Sequence, residues 1–231
     1  MLSKLPRELR NKIYIFALPR GKWHKKDVSN FIRLSFTGGI GDPSGLYFPL
    51  SKDLTILRVD RQMRREALPL AYRRTVFQLD DMDDLIKLLM VVGKVGRENI
   101  ESLELAWESR ADAECKWEET PDSEDPYLRL PTLHVVKCVQ LLKQCKRLTS
   151  LRLYFDRDLI LEICPDIYET DPGIRGLCSI RGIKRVEIWG LDHEPLEQYG
   201  LVKYLKKQRE SPWEEREDEK EIRKQDQSKR V

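Results

Sequence analysis

The chain has only three histidines, His24, His134 and His193, scattered along its length. It contains no His-Glu-x-x-His pair and no Gly-x-Ser-x-Gly elbow, so neither a zinc-hydrolase nor a serine-hydrolase centre has a local signature. The glycine-rich stretch Gly38-Gly39-Ile40-Gly41-Asp42 lacks the Gly-Lys-Ser/Thr ending of a phosphate-cradling loop and reads as a turn. No cofactor motif emerges, and a reaction is not legible in these residues.

Cysteine is sparse too. Cys115, Cys138, Cys145, Cys164 and Cys178 are odd in number and widely spaced. With no apolar signal core at the amino terminus, the reading is reduced thiols in the cytosol or nucleus. His134, Cys138 and Cys145 fall on one helical face, but without a fourth ligand at metal spacing they read as core residues. Long apolar runs are missing as well. The longest, around residues 85–92, falls far short of the roughly 20 residues that span a bilayer, so no membrane partner is expected. Neither charge sign dominates: 42 Lys plus Arg face 39 Asp plus Glu, a net +3. A dedicated nucleic-acid binder shows a larger, clustered excess.

What remains is an ordinary globular composition with a heavily charged surface, 35% of 231 residues. A chain of this size buries roughly 70% of its unfolded surface and needs neither metal nor disulfide to fold. The spacing of Leu9, Ile13 and Phe16 behind Pro6 predicts a first helix, stopped by Pro19 and Gly21. Residues 22–50 read as a strand (31–36) and a turn-rich loop. A second helix is expected over about residues 52–72, with Ile56, Val59, Met63, Ala67 and Leu70 as its apolar stripe and a kink or new turn at Pro69. Thr75-Val76-Phe77-Gln78-Leu79 reads as a strand, and Asp80 or Asp81 as the cap of a third helix ending at Gly93 or Gly96.

The second half repeats itself. Asn99-Ile100-Glu101-Ser102-Leu103-Glu104-Leu105-Ala106-Trp107 aligns with Arg147-Leu148-Thr149-Ser150-Leu151-Arg152-Leu153-Tyr154-Phe155, and both align with Gly182-Ile183-Lys184-Arg185-Val186-Glu187-Ile188-Trp189-Gly190. The shared apolar-x-x-apolar-x-apolar pattern is that of leucine-rich-repeat-like strands. Helical patterns lie between them: Leu133, Val136, Val139 or Gln140 and Leu142, then Ile174, Leu177 and Ile180. Strand, helix, strand order predicts parallel pairing with Leu103, Leu151 and Val186 buried on one face. The units are unevenly spaced, so the array is irregular. An acidic, proline-containing segment (108–130, with Glu118, Glu119, Asp122, Glu124 and Asp125) interrupts it, and Ser211-Pro212-Trp213-Glu214 opens a charged tail with a capping-box pattern.

Leu5-Pro6-x-Glu8-Leu9-Arg10-Asn11-x-Ile13-Tyr14-x-Phe16-Ala17-Leu18, followed by Leu57-Arg58-Val59-Asp60-Arg61-Gln62-Met63-Arg64-Arg65-Glu66-Ala67-Leu68-Pro69-Leu70-x-Tyr72, resembles a large group of fungal F-box-like proteins. Two features depart from that pattern: Asp60 stands where the group commonly has Cys, and residues 19–51 separate the two helices. The resemblance implies an F-box-like segment over residues 1–80 with an insertion at 19–51. An irregular strand–helix array (81–205) and a tail (206–231) would follow.

The expected fold is α/β, or α+β, with a mainly parallel sheet. The expected function is a non-catalytic protein-interaction adaptor, in which the resemblance implies that Leu5, Pro6, Leu9 and Ile13 dock a Skp1-type subunit of a ubiquitin ligase. Against that stands burial of the first helix in the chain's own core. The alternative is a nucleic-acid-associated protein using Arg58, Arg61 and Arg65 on one face of helix 54–73 to contact phosphates.

Overall fold

Four helices begin at an aspartate whose side chain accepts a backbone N–H of the first turn, the usual remedy for orphan donors at a helix start. Asp60 accepts from Met63 N at 2.8 Å, Asp81 from Asp84 N at 2.7 Å, Asp156 from Asp158 N at 2.8 Å and Asp171 from Ile174 N at 2.8 Å. Asp60, the departure from the F-box-like pattern, is therefore a helix cap. A computed structural model describes residues 4–18, 20–24, 56–57, 60–110, 130–163, 165–180 and 182–210. Along it run α1 (Arg7–Ala17), β1 (Gly21–His24), α2 (Arg61–Arg74), β2 (Thr75–Leu79), α3 (Met82–Val91), α4 (Gly93–Asn99) and β3 (Ser102–Ala106). Then come α5 (Val135–Leu142), β4 (Ser150–Phe155), α6 (Arg157–Glu162), α7 (Pro165–Thr170), α8 (Pro172–Cys178), β5 (Arg185–Gly190) and α9 (Gly200–Glu210).

The fold is α/β. All five strands lie parallel in one sheet in the order β1-β2-β3-β4-β5. Each strand pairs with the next in sequence through a helical connection. Such crossovers are nearly always right-handed, which puts successive helices on the same face. The burial agrees. Phe77 and Leu79, Leu103 and Leu105, Leu151 and Leu153, and Ile188 share one core cluster with buried apolar residues of α2, α3, α5, α8 and α9.

The three aligned segments are neighbours in the register their alignment implies: Leu103 opposite Leu151, and Leu151 opposite Val186. Leu103 and Leu151 are buried, whereas Val186, on the edge strand, is half-buried. The sheet also takes in β1 and β2, so the amino-terminal segment and the strand array share it.

Several expectations need correction. The second helix starts at Arg61 rather than near residue 52; Ile56 and Leu57 form a separate short 3₁₀ turn. Pro69 sits inside α2 without ending it. Leu133 and Val136 are exposed, and α5 instead buries Val135, Cys138, Val139, Leu141 and Leu142. The helix begins one residue after His134, whose left-handed backbone (φ 62) breaks the assumed continuity and rotates the apolar stripe. His134 is consequently exposed, not a core residue. The strand expected at 31–36, the glycine-rich turn, residues 111–129 of the acidic segment and the tail from 211 lie outside the described residues.

Candidate functional site

The first helix meets the rest of the molecule through polar contacts as much as through apolar ones. Arg10 donates from Nε and Nη2 to the two carboxylate oxygens of Glu66 on α2, both at 2.8 Å. Tyr14 Oη donates to the same carboxylate at 2.9 Å, and Gln62 Nε2 at 3.2 Å. The Arg10 hydrogen bond, ahead of burial working the other way, holds the Glu66 carboxyl at about 2. Burial foremost, with the neighbouring carboxylate, pushes the Tyr14 phenol up. A second tie closes the helix end, where Arg74 Nε donates to Leu18 O at 2.9 Å. A two-pronged arginine–carboxylate contact fixes orientation as well as distance.

This clamp decides which way α1 faces. Tyr14 is the helix's buried residue, followed by Leu18 just beyond its end. At about 100° per residue, Leu9, Ile13 and Phe16 fall within about 60° of one another and roughly opposite Tyr14. Leu9 is 46% exposed, Phe16 91% exposed and Ile13 half-buried. Pro6, the residue before the helix, is exposed, and Leu5 is half-buried. The alternative expectation, that α1 would be buried in the chain's own core, is met by Tyr14 and Leu18 and in part by Leu5 and Ile13, while the segment expected to cover the helix lies outside the described residues. Within the stripe Leu9 and Phe16 face outward.

The Glu66 clamp carries a pH signature. Its folded-state value lies below the ordinary 4.5, so the stabilisation is complete above about 4.5 and is lost as pH falls towards about 2. Glu66→Gln should lower the denaturation midpoint at neutral pH. The gap to wild type should close between pH 4.5 and 2, and a gap constant over that range would rule out the clamp as its origin.

A second constellation lies on the sheet face opposite the core. In register across it stand Gln78, Glu104, Arg152 and Glu187. Lys22 Nζ lies 2.6 Å from Glu104 Oε2, Tyr154 Oη donates to that oxygen at 3.2 Å, and Arg152 Nη1 reaches Glu104 Oε1 at 3.4 Å. Arg152 Nε donates to Glu187 at 2.7 Å, Arg185 also pairs with Glu187, and the Arg152 guanidinium lies 4.8 Å over the Trp189 ring. Burial pushes the Glu187 carboxyl up, but the hydrogen bond and charge of Arg152 outweigh it and hold it below the usual range. This ladder satisfies its own charges.

Among known proteins, no family model, curated protein or solved structure matches the chain. The geometry therefore has to carry the functional reading.

At the carboxyl ends of β2 and β3, a serine, a histidine and an aspartate do meet. Asp83 Oδ1 lies 2.5 Å from His134 Nδ1, while Oδ2 accepts from Arg110 N at 2.8 Å and Ser109 Oγ at 3.3 Å. Arg110 also pairs with Asp81 at 2.6 Å. The serine hydroxyl donates to the carboxylate rather than to the imidazole, which is not the nucleophile–base contact of acyl transfer. Burial pushes the Cys138 and Cys145 thiols up to about 12, so they are protonated at neutral pH and poor ligands or nucleophiles. No group of metal-ligating side chains occurs among the described residues.

The arginine face is described only in part. Arg61 and Arg65 are exposed one turn apart on α2, while Arg58 lies outside the described residues. Nearby, Arg64 donates to Leu57 O at 2.6 Å, and Arg73 to Asn99 Oδ1 at 2.8 Å. The sequence reading assigned Leu5, Pro6, Leu9 and Ile13 to partner docking and passed over Phe16. Phe16 shares the stripe of Leu9 and Ile13 but was not among the residues assigned to docking. The sequence reading also missed Glu66, whose part is visible only once α1 lies against α2.

Proposed function

We propose that the chain is a protein-interaction adaptor that docks a Skp1-type subunit of a ubiquitin ligase through α1. The sheet carries the surface for a second partner. The observation that supports this reading is the pair of exposed apolar side chains Leu9 and Phe16, with Ile13 half-buried between them, on a helix clamped by Glu66. Exposed apolar side chains on a fixed helix are what a partner's groove takes up, and the clamp reduces the ordering that docking would otherwise require. The F-box-like pattern of residues 1–80 points to the same end of the chain, as an analogy. No helix among the described residues is long and apolar enough to cross a membrane.

Titration calorimetry with a purified Skp1-type adaptor tests it. The wild-type chain should bind, and Leu9→Asp should abolish binding while leaving the melting temperature unchanged, because Leu9 is largely exposed. Absence of heat with the wild-type chain defeats the proposal. The phosphate-binding alternative at Arg61 and Arg65 predicts instead an affinity for nucleic acid that falls steeply with salt.

A further inference from the structure

Among the described residues Phe16 is the odd aromatic. Tyr14, Tyr72, Phe77, Trp107 and Phe155 are among the most deeply buried side chains, whereas Phe16 is 91% exposed. It stands on the Leu9 and Ile13 side of α1, and the Arg10–Glu66–Tyr14 clamp keeps α1 from rolling it inward. The surroundings are cationic. Lys4, Arg7, Lys12 and Arg20 are exposed around the helix, with Glu8 the exposed acid on it, while the charge of Arg10 is taken by Glu66. Arg61 and Arg65 add two more exposed cations on the neighbouring helix, against the exposed carboxylate of its cap Asp60.

We infer that α1 docks an acidic protein surface holding an apolar pocket, that Phe16 is the anchor filling the pocket, and that the exposed cations of α1 and α2 steer the approach. The inference rests on the adaptor reading and gives the partner its chemistry. A large aromatic ringed by residues that exclude water is the common form of a binding hot spot, and charge at the rim acts on encounter rate and specificity. An anionic lipid surface would share the charge preference, but an interfacial helix lies in the membrane on a broad apolar face. Here α1 is held side-on against α2 and offers a narrow stripe ending in one large side chain. That shape suits a pocket.

The test measures binding of the full chain to a purified Skp1-type adaptor by biolayer interferometry. It compares wild type, Phe16→Ala, Phe16→Leu and the double change Arg7→Glu, Lys12→Glu. The same proteins are run alone by light scattering and against phosphatidylserine-containing vesicles. Phe16→Ala should weaken adaptor binding at least about thirtyfold, chiefly in dissociation rate, with Phe16→Leu recovering part of it. The charge reversal should slow association and flatten its salt dependence, and all the variants should melt with wild type. Adaptor binding that Phe16→Ala leaves intact overturns the anchor while the adaptor reading stands. Absence of binding by wild type overturns both. Vesicle binding or self-association that depends on Phe16 overturns the acidic-protein partner.

Discussion

Replacing Leu151 with alanine should destabilise the protein by about 2–5 kcal/mol, the range for deleting a buried leucine side chain where the surroundings cannot collapse fully into the gap. Leu151 is 2% exposed, sits on the central-to-edge strand β4 and is paired on both sides, with Leu103 and with Val186. It also lines a small apolar cleft with Leu153, Leu177, Ile180 and Leu205, so its removal enlarges a space already imperfectly filled. A chain of this size loses about 2–4 °C in melting temperature per kcal/mol, so calorimetry resolves the effect easily. A cost below about 1 kcal/mol would mean that the leucine rows are not the core of the sheet.

Gly173→Val should be the next most damaging change, about 1–3 kcal/mol from overpacking. Gly173 opens α8, and a Cβ there would lie 2.9 Å from Val135 Cγ1 and 3.4 Å from Trp107 Cζ2. It would also lie 3.1 Å from Asp171 Oδ1, the oxygen that caps α8 by accepting from Ile174 N. The substitution therefore strikes a helix contact and a helix cap together. Gly21→Ala is the matched control, since nothing lies within 4 Å of the Cβ it would gain. Chemical denaturation of both variants decides the matter. Equal midpoints would show that α8 and α5 can separate at no cost.

The carboxyl-terminal strands were legible because a buried strand needs apolar side chains at alternate positions whatever surrounds it. The alignment of Leu103, Leu151 and Val186 thus carried over directly into register. The cap of α3 was legible for the same local reason, Asp81 lying next to the first turn it serves; the Asp60 cap was not, because the expected apolar stripe ran through it from residue 52. β1, by contrast, is four residues, Gly21–His24, with no alternation to mark it. Its strand conformation comes from pairing with β2, a partner more than fifty positions along the chain. The short helices α6 and α7 escaped notice because six residues give fewer than two turns of periodicity.

The candidate site divides along the same line. That the residues after Pro6 form a helix with an apolar stripe is written in the sequence, since it depends on spacing. Which side of that helix turns inward is a tertiary matter. Both sides offer apolar groups: Tyr14 and Leu18 on one, Leu9, Ile13 and Phe16 on the other. The carboxylate of Glu66, 56 positions from Arg10, selects the first by binding Arg10 and Tyr14 together. Local pattern determined the element, and long-range contacts, the Glu66 clamp together with burial of Tyr14 and Leu18, decided that Phe16 would face outward.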